Sequence, residues 1–209
     1  IEEALAGATI IVNCSASDET VGKGSYRTRL IAGQSARLIA GYVYANAGEG
    51  ESTTDLVFGG HNIIAEDGTI LRQSERYKNE IIYSEIDLEK IVGERRKNTT
   101  FSPEKLNCGC PVVVPFHVGI CDTVLTRNFS QHPFVPSDEA ARAHICDEIL
   151  TIQAMGLKKR LSHTNAKSAV VGISGGLDST LALLVTAKAF DMLGRDKKEI
   201  IAVTMPCFG

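Results

Sequence analysis

Short apolar runs separated by polar breaks make up the first half of the chain, whereas longer stretches with a helical period dominate the last third. Residues 8–15, ATIIVNCS, form a β-branched run of the kind found in a buried strand, with Cys14 expected as a buried structural thiol inside it. From 23 to 40, Leu30, Ile31, Ala36, Leu38 and Ile39 recur among three arginines, which predicts a helix. YVYANA from Tyr42 predicts a second strand, and the Gly-rich AGEGEST after it a loop. Within LVFGGHNIIAEDGTILRQSER the pair Asp67-Gly68 lies between two β-prone runs, a strong hairpin signal. EIIYSEIDL reads as one more strand. Strand, helix, strand and then an antiparallel meander imply a layered α/β domain.

Residues 101–136 hold five of the six prolines, together with Cys108, Gly109 and Cys110, and show no helical period; they read as a linker arm. A helix then begins at Pro136, with Ser137 as its expected cap and Asp138 and Glu139 in the first turn. Ile145, Ile149 and Ile152 are its expected inward face, and Lys158, Lys159 and Arg160 suit its C-terminal end. AVVGI at 169–173 is a continuous apolar strand, residues 180–193 are a helix apolar on most sides that Gly194 ends, and IIAVTMP from Ile200 is the next strand. Together they make one βαβ unit of a parallel sheet. The expected organisation is therefore residues 1–100 as one domain, 101–136 as the arm and 137–209 as the start of a second domain.

Composition narrows the class. With 44% hydrophobic and 22% charged residues the chain is an ordinary globular protein. A formal charge of −3 gives no general electrostatic reason to expect nucleic acid or an anionic membrane as a partner. No apolar run approaches the ~20 residues that cross a bilayer, since 181–190 is broken by Thr186 and Lys188. Six irregularly spaced cysteines fit a reducing cytoplasm better than a secreted disulfide framework. The chain starts at Ile1 with no basic flank or cleavage site, as expected of the interior of something longer.

Chemistry concentrates at the carboxyl end of the strand at 169–173, where the chain reads Gly172, Ile173, Ser174, Gly175, Gly176, Leu177, Asp178, Ser179. Paired glycines allow close backbone approach, the serines supply hydroxyls, and the next helix aims unpaired N–H groups at the loop. That composition suits a pyrophosphate cradle. Asp178 would repel phosphates unless a divalent cation lay between, and magnesium, hard and oxygen-seeking, fits that place. The loop is neither GxxxxGK[ST] nor GxGxxG. A tight strand-to-helix turn capped by Asp178 and Ser179 is the plainer alternative.

SGGLDST after Gly172-Ile173 resembles the signature of the ATP pyrophosphatases of the adenine-nucleotide alpha-hydrolase type, which cleave ATP between the α and β phosphates to adenylate a substrate. HPFVPSD at 132–138 and CDEILTIQAMGLKKRL at 146–161 look like the segment that joins a nitrilase-type amidase domain to the synthetase in glutamine-dependent NAD synthetases. ALAGATIIVNCSAS, YVYANAGEGESTTDLVFGGHNIIAEDG and SER closely resemble the later half of that amidase domain. The resemblance covers nearly the whole chain apart from about 105 to 128, where it offers no expectation.

The resemblance implies an α/β fold in which the C-terminal part of a nitrilase-like α-β-β-α sandwich joins the start of a Rossmann-like parallel-sheet domain. It implies ATP and Mg2+ at the loop, with Asp178 on the metal and residues 172–179 on the phosphates. Deamido-NAD, glutamine and ammonia are the implied small-molecule substrates; a homo-oligomer is expected, and the charge, hydropathy and cysteine usage above point to the cytoplasm with neither nucleic acid nor membrane as partner. The Glu-Lys-Cys triad of the amidase is expected upstream of Ile1, so Cys14 is not the nucleophile and the chain alone is expected to lack glutaminase activity. Ser17 and Lys23 map to glutamine-binding positions, the lysine standing where some relatives carry arginine. Their plainer readings are a capping serine and a solvated lysine. Glu49 and Glu51 are expected to be solvated rather than an acid/base pair. Zinc at Cys108, Cys110, His117 and Cys121 is disfavoured by the Cys-x-Cys spacing. GMP synthesis and a non-catalytic nucleotide-binding fragment remain as alternatives.

Overall fold

The computed structural model describes residues 1–51, 54–101 and 112–205. They divide into two compact units, Ile1–Asn128 and Phe129–Gly209, and the division falls inside the proline-rich arm.

In the first unit a short helix α1 (Glu2–Leu5) leads into strand β1 (Ile10–Ser15), helix α2 (Lys23–Leu38) and strand β2 (Gly41–Asn46). Strands β3 (Ile63–Glu66) and β4 (Thr69–Gln73) and helix α3 (Leu88–Lys97) follow. The sheet order is β1-β2-β3-β4, parallel between β1 and β2 and antiparallel thereafter. Asp67 and Gly68 both take positive φ, 45° and 85°, as the mirror-image turn of a two-residue hairpin requires. Ile31 and Leu38 of α2 meet Tyr42, Tyr44, Ile63 and Ala65 of the sheet to form the core.

Three readings of the sequence change here. Cys14 is exposed, not buried, because β1 is an edge strand whose second face, carrying Ile10, Val12 and Cys14, is uncovered among the described residues. EIIYSEIDL is not a strand: no ladder partner meets it among the described residues, Ile81 and Tyr83 lie exposed, and Asp87 instead caps α3 by accepting a hydrogen bond from the Lys90 amide at 2.9 Å. Helix α3, which the period-2 reading missed, buries Ile91 and sends Arg95 to the carbonyls of Ala4, Ala8, Leu38 and Ile39. Those carbonyls end or follow α1 and α2, so one guanidinium closes both helices.

The arm is tied back to the first unit. Arg127 donates to both oxygens of the Glu66 carboxylate, at 2.8 and 3.1 Å, and the Thr126 amide donates to Glu85 at 2.8 Å. Glu66 is fully buried at the end of β3 and also accepts from the Asp87 amide at 2.7 Å and from Lys90 at 3.3 Å. Burial pushes its carboxyl up, but Arg127, the Asp87 amide and Lys90 together outweigh this and hold it below the usual carboxylate value.

The second unit is helix α4 (Glu139–Thr164), strand β5 (Ala169–Gly172), helix α5 (Leu177–Leu193) and strand β6 (Ile200–Val203). Strands β5 and β6 pair in parallel across α5, as the βαβ reading requires. Gly194, φ 65°, ends α5 in the left-handed conformation that glycine adopts without a Cβ penalty. The N-cap of α4 is Asp138, accepting from the Ala141 amide at 2.7 Å, rather than Ser137. The inward face also differs. Ile149 and Ile152 are exposed, and Ala154 and Leu161 are buried with Leu150 and Leu157 beside them against Val185, Ala189 and Phe190 of α5. Helix α4 carries two apolar stripes, and the partner helix, not the period, selects which one is covered.

Candidate functional site

The glycine loop forms where β5 runs out. The Ile173 amide donates to the Val203 carbonyl at 2.8 Å, the last bond of the parallel ladder, and the backbone then swings through Gly175 at φ +86°. Gly176 is the extended N-cap of α5 and offers no side-chain cap. The serines fold over the turn: Ser174 and Ser179 hydroxyls are 3.3 Å apart, and Ser179 and Thr180 each donate to the Gly176 carbonyl at 3.0 Å. Gly172, Ser174, Gly175, Gly176, Leu177 and Asp178 are exposed, and Ile173 and Ser179 half-buried. The loop thus presents backbone N–H groups and the start of α5 to an open surface, the geometry that attracts phosphate oxygens.

Asp178, in the first turn of α5, points to solvent and makes no hydrogen bond or ion pair among the described residues. The Gly176 amide donates to Ser174 Oγ at 3.4 Å, and the exposed Asp178 carboxylate at the helix start is of the chemical type that meets a hard divalent cation. The cavity of about 440 Å³ bounded by Leu161, Asn165, Lys167, Leu193 and Arg195 lies at the opposite end of α5 and is not part of this loop.

Ser17 and Lys23 are brought together by the β1–α2 loop. The Ser17 amide donates to Asn46 Oδ1 at 2.9 Å, and Asn46 Nδ2 donates to the Ser17 carbonyl at 3.0 Å. Ser17 is therefore not a helix cap; Gly22, φ 83°, holds that place. Lys23 forms an ion pair with Asp18, which lowers the Asp18 carboxyl below its usual value. Beneath the loop Arg27, buried in α2, pairs with Glu19 at 2.6 Å and lies 3.2 Å from His61 Nδ1. Arg76 joins Glu19 from the other side at 3.3 Å. Burial first, and the Arg27 charge second, depress the His61 pKa, so the ring is neutral and accepts from Arg27.

Sequence reasoning missed Arg27, Glu19, His61 and Asn46. The available signal was Arg27 itself, a cation at the spacing of Ile31 and Ser35 on the inward stripe of α2. Glu49 and Glu51 are exposed at the rim of a cavity of about 410 Å³ with Val57, Phe58 and Tyr77, as expected of solvated carboxylates. Among the described residues no group of three or more His, Cys, Asp or Glu side chains is placed to hold a metal ion, and Cys108, Cys110 and Cys207 lie outside the described residues. No helix among the described residues is long and apolar enough to cross a membrane.

Residues 149–208, which hold the strand, glycine loop and helix of the second unit, match the model of the NAD synthase family. Nearly the whole chain is similar in sequence to a segment of glutamine-dependent NAD(+) synthetases. It is 40% identical to that of Mycobacterium leprae (strain TN) over 99% of its own length and 32% of the relative's. Identity to that of Mycobacterium bovis is 39%, with the same coverage. The chain thus spans about a third of the length of the curated relatives it matches. A solved glutamine-dependent NAD+ synthetase from Acinetobacter baumannii, in complex with adenosine diphosphate, shares 18% identity at a TM-score of 0.40, covering 98% of this chain and 30% of that one.

Proposed function

We propose that the chain is a segment of an enzyme that amidates deamido-NAD to NAD, using ATP and ammonia drawn from glutamine. The observation that carries the reading is the exposed glycine loop between β5 and α5, lying inside the stretch that matches the NAD synthase family. Identity of 40% to glutamine-dependent NAD(+) synthetases favours this acceptor over that of GMP synthetases, which share the loop type. The first unit would be the C-terminal part of a nitrilase-like sandwich, and residues from 129 onward would open the synthetase domain. A cytoplasmic homo-oligomer completes the reading. Uncovered apolar residues such as Val12, Ile152 and Leu184 are surface that the rest of such a protein would bury.

The loop amides and the N-terminus of α5 would hold the ATP phosphates while the nicotinate carboxylate attacks the α-phosphorus and pyrophosphate leaves. A free carboxylate is a poor electrophile for ammonia, and conversion to the acyl adenylate gives AMP as leaving group. Ser174 and Ser179, which bond to each other and to the turn, would orient the phosphate oxygens. Magnesium on Asp178 would offset phosphate charge. Ser17 and Lys23 would bind glutamine in the first unit, the hydroxyl as donor and the ammonium as a point charge for the carboxylate.

Replacing Asp178→Asn in the full-length enzyme tests the reading. ATP-dependent NAD formation should fall about 100-fold while glutamine hydrolysis persists. An Asp178→Asn enzyme with unchanged NAD formation would remove the loop from the mechanism.

A further inference from the structure

We propose that Arg27 is a positioning residue for the glutamine site: its guanidinium orients the Ser17 hydroxyl as a donor and sets the β1–α2 loop as a receptor for a carboxylate. The inference rests on the reading of Ser17 and Lys23 as glutamine-binding residues and adds the device that holds them.

Arg27 is only 2% exposed and lies on the inward stripe of α2. A guanidinium taken out of water is costly unless its N–H groups are used, so where they go is informative. Nη2 donates to the Ser17 hydroxyl at 3.3 Å, to the Ser17 carbonyl at 3.4 Å and to the Asp18 carbonyl at 3.3 Å. Nη1 donates to the Glu19 carboxylate at 2.6 Å and to His61 at 3.2 Å. Nε is buried and has no partner among the described residues. The terminal nitrogens are thus committed to three consecutive loop residues and to His61, at the expense of full satisfaction of the side chain.

Asn46 already clamps the Ser17 backbone from both sides. Fixing the chain path therefore needs no contact to Oγ. The Arg27 contact to Oγ does something else: with a lone pair accepting from Nη2, the hydroxyl hydrogen is turned away from the guanidinium and is left to donate elsewhere. Charge points the same way. Lys23, Arg27 and Arg76 share two carboxylates, Asp18 and Glu19, and the neighbouring His61 is neutral, so one positive charge stays in excess around the loop. Such a field, with an oriented donor in it, matches the carboxylate of an amino-acid substrate.

The test is steady-state kinetics of the full-length enzyme with glutamine and, separately, with ammonium as nitrogen source. Ser17→Ala, Lys23→Ala and Arg27→Lys should each raise the glutamine KM about tenfold and lower the ratio of glutamine-supported to ammonia-supported synthesis. The Ser17→Ala/Arg27→Lys pair should be no worse than the stronger single variant, because Arg27 acts through Ser17. Arg27→Lys with an unchanged KM, or with both nitrogen sources equally impaired, overturns the positioning role while leaving Ser17 and Lys23 in place. An unchanged KM in both Ser17→Ala and Lys23→Ala overturns the glutamine-site reading itself, and the positioning role with it. Should Arg27→Lys not fold, Glu19→Gln, which loosens Nη1, should raise KM about threefold, and no rise overturns the proposal.

Discussion

Glu66 offers the sharpest test of how the first unit is held together. Replacing Glu66→Gln keeps the volume and an oxygen for the Asp87 amide but removes the charge facing Arg127 and Lys90. Breaking a fully buried pair costs about 3–5 kcal/mol. Here the Arg127 side chain is 19% exposed and keeps the Glu85 carbonyl at 3.1 Å, and Lys90 is 43% exposed, so water takes up part of the loss. The expected destabilisation is about 2–3 kcal/mol, which lowers Tm by about 8 °C for a unit of this size. All five tyrosines lie at positions up to 83 and the chain has no tryptophan, so near-UV tyrosine signals report on this unit alone. The sign with pH follows from the depressed carboxyl. Its stabilisation is fully present above the ordinary value of 4.5 and is lost as pH falls through the lower folded value. The gap between wild type and Glu66→Gln should therefore be constant near neutrality and close on acidification. A gap below about 0.5 kcal/mol at pH 7, or one that persists unchanged in acid, would refute the account.

Two further outcomes follow from the second unit. Gly175→Ala meets no atom within 4 Å, so its cost is the positive φ alone, about 1 kcal/mol; thermal unfolding should show only that small loss, while the KM for ATP in the full-length enzyme should rise. Phe190→Ala empties the fully buried centre of the α4–α5 contact and removes the ring beneath Arg195, 4.6 Å from its centroid. Urea unfolding followed by far-UV circular dichroism should show this unit weakened by about 3–5 kcal/mol.

Where one local rule decided an element, the sequence was readable. Asp67-Gly68 could be little other than a hairpin turn, Gly194 a helix end, and strand, glycine loop and helix a βαβ unit, because each depends on backbone chemistry within a few residues. Failures came where a partner distant in sequence made the choice. The alternation in EIIYSEIDL needed a neighbouring strand to become β structure, and none meets it among the described residues, so the Asp87 cap and the charge gradient of LEKIVGERRK prevailed. The isoleucines of α4 lost to the Leu150–Ala154–Leu157–Leu161 stripe because α5 packs there.

The same distinction separates the two candidate sites. The glycine loop is contiguous, eight residues whose order alone encodes glycine freedom, hydroxyls and a helix start, so its geometry is legible without a fold. The β1–α2 site is assembled from Ser17, Asn46, His61 and Arg76, which meet only once β1, β2 and the following loop are in register around Arg27. No local pattern records that meeting. A charged residue at an inward helical position is the one trace it leaves in the sequence, since a buried cation persists only when the fold supplies partners for it. An arginine interrupting an apolar stripe is therefore a signal to look for carboxylates and carbonyls converging from elsewhere in the chain.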